Sequence, residues 1–176
     1  MHSLLDMDLL LSQALHSIPE IAASVEMPFV CLLSDESEIA KHAYPGLYRI
    51  DVQTAGGATV LSDWIAVLKA EWEHPDFKKS FTPNLKKKRI LGHCTLPEWM
   101  PFYLGKSKNV GRRVLEHINL PLAKTTFALK LKARSSMAGR VFRLHTLKMQ
   151  VKNYDVIVPA FESALRNRLH PLIGKQ

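Results

Sequence analysis

The sequence lacks the features that mark secreted, membrane-spanning and repetitive proteins. It has only two cysteines, Cys31 and Cys94, and they match neither a metal-binding spacing nor a disulfide framework. Residues 1–18 are apolar, but Asp6 and Asp8 interrupt them and no basic n-region precedes them, which argues against a signal peptide or a membrane span. There is no internal repeat and no low-complexity stretch. These absences predict a cytoplasmic protein in a reducing compartment.

What the chain does have is an excess of positive charge. Its 176 residues include 24 Lys and Arg against 16 Asp and Glu, which gives a formal net charge of +8. Such an excess favours a polyanionic partner, most often nucleic acid and less often an anionic membrane surface, although many basic proteins bind neither. The hydrophobic fraction of 47% supports a core, and the length suits one medium domain or a small domain with an appendage.

Hydrophobic periodicity predicts an alternation of helices and strands. Helical spacing of apolar residues predicts helices at residues 3–25, 60–74, 109–118 and 155–169. Strands are predicted at residues 46–52, 101–106, 125–132 and, as a further candidate, 141–151. Pro19 is expected to divide the first helix in two, and Pro159 is expected in the first turn of the last helix. This order predicts an α/β (α+β) fold with a small mixed, mainly antiparallel central sheet flanked by helices.

A basic cluster lies between the second predicted helix and the second predicted strand. Residues 76–93 contain a Pro83-Asn84 break and are expected to form a loop or a loosely held arm. Its positive charge would neutralise backbone phosphates, or it would simply be a solvated loop. The basic residues of this segment are Lys78, Lys79, Lys86, Lys87, Lys88 and Arg89.

Polar side chains gather around the turn between the second strand and the third helix. Tyr103 lies two residues before Gly105, which allows a sharp turn or the close approach of a ligand. Arg113 and His117 lie one helical turn apart, beside the apolar stripe of the third helix. Surface decoration and an ordinary core tyrosine would explain these residues as well. Glu162, at the edge of the buried face of the last helix, needs an arginine or a divalent metal as its partner.

Together these residues resemble the GIY-YIG nuclease family. The first family motif corresponds to Gly46-Leu47-Tyr48 and the second to Tyr103-Leu104-Gly105, with Gly46 and Gly105 as the structural glycines. Arg113 and His117 follow the second motif at the family's spacing, and Glu162 lies on a later helix with Pro171 after it. The resemblance covers residues 46–52 and 101–174. It implies a GIY-YIG-like nuclease domain at residues 45–176 and an N-terminal helical extension at residues 1–44.

The resemblance implies metal-dependent hydrolysis of phosphodiester bonds in double-stranded DNA. One Mg²⁺ or Mn²⁺ would bind Glu162 and the scissile phosphate, Arg113 would bind that phosphate, and Tyr48 would help to activate the attacking water. Arg113, Lys106 and the metal would favour the phenolate of Tyr48. The implied catalytic residues are Tyr48, Tyr103, Arg113, His117 and Glu162. The substrate-binding residues would be Lys106, Ser107, Asn109, Lys86, Lys87, Lys88 and Arg89.

The chain departs from the family pattern in two places. Residues 53–100 form a long insertion between the first two core strands, which a fold tolerates because loop closure costs little entropy. Gly174 stands where many relatives have an asparagine, and Asn167 and Asn153 are candidates to replace it.

Two other functions stay open at this point. A catalytically inactive nucleic-acid-binding protein with the same fold would keep the basic surface without turnover. A small basic adaptor would bind another protein through its N-terminal helices. The sequence does not distinguish DNA from RNA, a monomer from a homodimer, or a restriction enzyme from a repair, mobile-element or toxin nuclease.

Overall fold

The structure is a computed structural model that describes residues 3–54, 60–77 and 81–174. Within these ranges the helices are α1 Leu4–His16, α2 Ile18–Ser24, α3 Glu36–Ala40, α4 Leu61–Trp72, α5 Lys87–Ile90, α6 Val110–Asn119 and α7 Tyr154–Leu169. The strands are β1 Phe29–Leu32, β2 Gly46–Gln53, β3 Asn84–Leu85, β4 Trp99–Ser107, β5 Phe142–Lys148 and β6 Ile173–Gly174. Short 3-10 helices occupy Pro75–Phe77, Leu131–Ala133 and Ser135–Met137.

The six strands form one sheet in the order β1-β5-β2-β4-β6-β3. Strand β2 runs antiparallel to both of its neighbours, β4 and β5, while β4 and β6 are parallel where Tyr103 faces Ile173. This arrangement confirms the predicted α+β class, a mixed and mainly antiparallel sheet flanked by helices. In the part of the chain that the structure describes, none of the helices is both long and apolar enough to cross a membrane.

Strand β2 is buried on both of its faces, because helices cover the sheet on both sides. Tyr48, Ile50 and Val52 point into a core shared with α4 and α6. Leu47 points the opposite way, into a second core that Leu104 shares with α2 and α7. Alternation along a single strand therefore sends neighbouring residues into two different layers.

Most of the predicted elements are confirmed. The segment at residues 3–25 forms α1 and α2, which meet at Ser17 with Pro19 in the first turn of α2. The other three helices correspond to α4, α6 and α7, and three strands correspond to β2, β4 and β5. Pro159 is an exception, since it lies in the interior of α7 and not in its first turn.

The strand predicted at residues 125–132 is wrong. Lys130 has a φ of 58°, in the left-handed region, and a 3-10 helix begins at Leu131. Side chains bind the backbone here: Leu129 N–H donates to the His117 ring at 2.9 Å, and Arg134 Nε donates to Leu129 O at 3.0 Å. The alternation of apolar residues was a local pattern that no neighbouring strand completes.

The basic segment at residues 76–93 is not a loosely held arm over its described residues. Strand β3 pairs with β6, and Trp72 Nε1 donates to Pro83 O at 3.0 Å. Arg89 donates to Arg166 O at 2.8 Å. Lys78 and Lys79 lie outside the described residues. The N-terminal extension at residues 1–44 is likewise not helical throughout, because β1 joins the sheet beside β5.

Candidate active site

Gly105 makes room for the ring of Tyr48 rather than for a turn. Strand β4 continues past it to Ser107, and the register places Gly105 directly opposite Tyr48. A Cβ atom on Gly105 would lie 2.5 Å from Tyr48 Oη, 2.6 Å from Tyr48 Cζ and 2.9 Å from Tyr103 Cε1. Only a residue without a side chain permits this approach of the two tyrosines. Gly46 plays a similar part against β5, since a Cβ there would lie 2.2 Å from Leu147 O.

His117 lies behind Tyr48, fully buried, and not at the rim where its helical position suggested. Leu129 N–H donates to His117 Nδ1 at 2.9 Å, and His117 Nε2 lies 2.8 Å from Tyr48 Oη. Burial and the charge of Arg113 hold the pKa of His117 well below its ordinary value, so the ring is neutral. A neutral ring whose Nδ1 accepts carries its proton on Nε2. His117 therefore donates to the oxygen of Tyr48.

The same burial keeps Tyr48 protonated. Burial and the neighbouring Tyr103 raise the pKa of the Tyr48 phenol well above its ordinary value, although Arg113 acts in the opposite direction. Burial also raises the pKa of Tyr103. Arg113 therefore lowers the pKa of Tyr48, as predicted, but the loss of hydration raises that pKa by more.

Helix α6 carries Arg113 to the edge of these rings. Its guanidinium donates to Glu116 Oε2 at 2.5 Å and to the carbonyl oxygen of Phe127. The side chain is 19% exposed, so it is held by protein groups on one side and open on the other. Two fixed acceptors orient the guanidinium plane before any ligand arrives.

Glu162 lies on α7 with only 6% of its surface exposed. Its Oε2 accepts from Lys106 Nζ at 2.5 Å, and its Oε1 accepts from Arg166 Nη2 at 2.6 Å. These two cations supply the partner that a buried carboxylate needs. Sequence reasoning missed Arg166, although its position one turn after Glu162 on the predicted helix was a usable signal.

These groups line one cavity of about 580 Å³. The cavity lies beside the last residues of β4, after Tyr103, the residue at which β4 pairs with β6. Tyr48, Tyr103 and Arg113 line it from the layer that contains α6. Lys106, Glu162 and Arg166 complete its polar lining. The remaining lining residues are Leu104, Gly105, Phe127 and Pro159. Four of the five residues predicted as catalytic therefore line one space, and the fifth, His117, contacts Tyr48 from behind.

The other predicted substrate-binding residues lie outside this lining. Ser107 accepts from Asn109 N–H at 3.0 Å, and Asn109 caps α6 by accepting from Arg112 N–H at 2.9 Å, so both shape the turn after β4. Lys87 and Lys88 are exposed on α5, Lys86 is half-buried before it, and Arg89 is bound to α7.

The lining of the cavity also excludes Gly174 and the two asparagines that could replace the family's asparagine, Asn167 and Asn153. Gly174 pairs with Asn84 between β6 and β3. Asn167 Oδ1 accepts from Arg89 at 3.1 Å, and Asn153 precedes α7 without capping it through its side chain.

The donor set of the cavity is compatible with a magnesium-type ion. Among the residues that the structure describes, no three or more His, Cys, Asp or Glu side chains cluster as metal ligands. Mg²⁺, however, is commonly bound through one or two carboxylates together with water and substrate phosphate. Glu162 offers one carboxylate facing the cavity, provided that Lys106 or Arg166 releases an oxygen.

Comparisons of the chain with protein-family models, with curated proteins and with solved structures find no match.

Proposed function

We propose that the protein is a metal-dependent endonuclease of the GIY-YIG kind that hydrolyses phosphodiester bonds in DNA. The observation that carries this proposal is the convergence of the motif residues. Tyr48 on β2, Tyr103 on β4, Arg113 on α6 and Glu162 on α7 line one cavity, although they come from distant parts of the chain.

The charge of the cavity suits a phosphate. Lys106, Arg113 and Arg166 bring three positive charges, and Glu162 is the only acidic residue among the described residues of the lining. Phosphoryl transfer depends mainly on preorganised positive charge and a positioned nucleophile. Arg113 is the best placed of the three to bind phosphate, since its planar fork is already oriented by Glu116 and Phe127.

The tyrosines and the histidine would together control the removal of a proton from the attacking water. Tyr48 acts as a base only in its phenolate form, which the hydrogen bond from His117 and the charge of Arg113 stabilise and which burial opposes. Glu162 would hold the divalent ion. When bound, that ion supplies Lewis-acid charge at the scissile phosphate and at its attached water. Cleavage should therefore rise toward alkaline pH, and Tyr48→Phe should remove that rise.

Cleavage of supercoiled plasmid with Mg²⁺ or Mn²⁺ tests the proposal. We expect nicking or linearisation that EDTA abolishes and that Glu162→Gln lowers by about 100-fold or more. Asp155→Asn is the matched control, because Asp155 lies on the same helix with a side chain 79% exposed and pairs with the exposed Lys108. Intact plasmid with both metals and several DNA sources, or equal losses in the two variants, would overturn the assignment.

The paired state of Glu162 favours one alternative, a nucleic-acid-binding protein without catalysis. Lys106 and Arg166 already occupy both carboxylate oxygens, so the site is complete as an ion-pair cluster. Such a protein would bind DNA with an affinity that falls as salt rises and would not cut it with any divalent ion. Affinity that does not change with salt would instead favour an adaptor for another protein.

A further inference from the structure

Helix α1 presents apolar side chains to solvent along most of its length. A capping box between Ser3 and Asp6 fixes where it begins, and not one of its residues is buried. Its most exposed large apolar residues are Leu4 (85%), Leu5 (81%), Met7 (60%), Leu9 (59%) and Leu10 (59%). At 100° per residue, Leu4, Met7 and Leu10 lie on one side of the helix, and we call these three residues the α1 ridge; Leu5 and Leu9 lie on the opposite side. Soluble monomers rarely expose contiguous apolar patches larger than a few hundred Å². The α1 ridge therefore indicates a surface that is covered in the working protein.

A groove of about 410 Å³ lies beside the α1 ridge, between the end of α1, helix α2 and helix α7. Nearly all of its lining is apolar, and Ile21 and Val156 on its walls are 49% and 44% exposed. Its principal lining residues are Leu11, Leu15, Ile21, Val156, Ile157 and Phe161. We call it the α1–α7 groove. The same helix thus supplies a convex apolar surface with its first half and one wall of a concave apolar surface with its second half.

We propose that a second copy of this chain covers this surface, with the α1 ridge of each copy seated in the α1–α7 groove of the other. A protrusion and a complementary groove on one helix allow a two-fold association in which each contact is made twice. Helix α1, at about 1.5 Å per residue, is about 20 Å long, enough for two antiparallel copies to bring ridge and groove together. Because a two-fold axis relates the copies, both use the same residues at the interface. No copy of this surface is left free to bind a third chain, so no filament forms.

The exposed area agrees with a dimer. The α1 ridge together with Leu11, Ile21 and Val156 exposes on the order of 600 Å², which is at the lower end of what each partner buries in a standard protein–protein interface.

The charges favour a second copy over a lipid surface. Helix α1 carries Asp6 and Asp8 but no lysine or arginine, so an anionic membrane would repel it. Lys152 is exposed and lies in the chain between Val151 and Asn153, both of which line the α1–α7 groove. An acidic residue of the partner's α1 would meet Lys152 at the rim of this groove. The association does not depend on nuclease activity.

Sedimentation velocity of the full chain over a range of micromolar concentrations tests the proposal. We expect a species of twice 19.9 kDa, and we expect the double variant Leu4→Glu/Met7→Glu to sediment at 19.9 kDa with a dissociation constant raised at least about 100-fold. Leu91→Glu is the matched control, because Leu91 is 72% exposed on a different part of the surface. All three positions are solvent-exposed, so folding should survive each change, and circular dichroism verifies this.

A charge exchange identifies the occupant of the groove. Asp8→Lys and Lys152→Glu should each weaken the dimer, and the two changes combined in one chain should restore it. A 19.9 kDa species for the unchanged chain at every concentration would overturn the proposal. So would a dimer that Leu91→Glu dissociates as strongly as the ridge variant. Flotation of a monomeric chain with anionic vesicles would overturn it in favour of a lipid surface.

Discussion

Replacement of Gly105 by alanine should destabilise the protein and displace the proposed base. The added Cβ would overlap the Tyr48 ring at 2.5 and 2.6 Å and the Tyr103 ring at 2.9 Å. Tyr48 is 1% exposed and Tyr103 is 9% exposed, so packed neighbours enclose most of each ring, and a ring can shift only towards the cavity that both line. Tyr48 Oη would have to move away from His117 Nε2, to which it is now hydrogen-bonded.

The expected cost follows from these contacts. Overpacking a close-packed core costs about 1–3 kcal/mol, and weakening one buried hydrogen bond adds about 1 kcal/mol. The free energy of unfolding should therefore fall by roughly 2–4 kcal/mol, which for a domain of this size lowers Tm by about 5–15 °C. Gly139→Ala is the matched control. A Cβ at Gly139 meets nothing within 4 Å, so alanine there should be neutral or should stabilise by up to about 1 kcal/mol.

Urea unfolding followed by tryptophan fluorescence measures both variants, and plasmid cleavage below the melting temperature measures the displacement of Tyr48. We expect Gly105→Ala to lose cleavage even where it is fully folded. A Gly105→Ala protein as stable and as active as Gly139→Ala would refute the close packing of Tyr48 against β4.

Two further predictions concern buried ionisable groups. Folded His117 stays neutral because burial and Arg113 lower its pKa, whereas the unfolded chain binds a proton at about 6.5; stability should be fully present above that pH and fall below it. His117→Gln should show a weaker fall between pH 8 and pH 5 in urea unfolding, and an equal fall would contradict the burial. Asp51 is 1% exposed, within 3.2 Å of Arg49, Arg143 and His145. Asp51→Asn should cost about 3 kcal/mol by thermal unfolding, since it leaves the charges of Arg49 and Arg143 without their carboxylate, and a loss below about 1 kcal/mol would contradict that network.

Sequence patterns anticipated the elements whose signals are local. Helix α6 repeats apolar residues at a helical period, and strand β2 places Tyr48, Ile50 and Val52 at every second position, so each pattern identifies its element. By contrast β3 and β6, with two residues each, have no such repeat and exist because they pair with each other and with β4. Apolar residues alternate at 125–132 with the period of a strand, but no described strand pairs with this segment. The backbone N–H of Leu129 donates to His117 instead.

The sequence by itself determined which residues could meet: the two tyrosine motifs, the arginine and histidine one helical turn apart, and a carboxylate at the edge of an apolar face. Only the tertiary structure decided how they meet. Tyr48 and His117 are 69 residues apart, and their 2.8 Å contact depends on the register of β2 with β4 and on the packing of α6 over both. The tertiary structure also removed water from both rings, paired Glu162 with Lys106, and showed that Gly105 makes room for a ring. Periodicity reports only neighbours within a few residues of each other, whereas dehydration and distance are properties of the assembled layers.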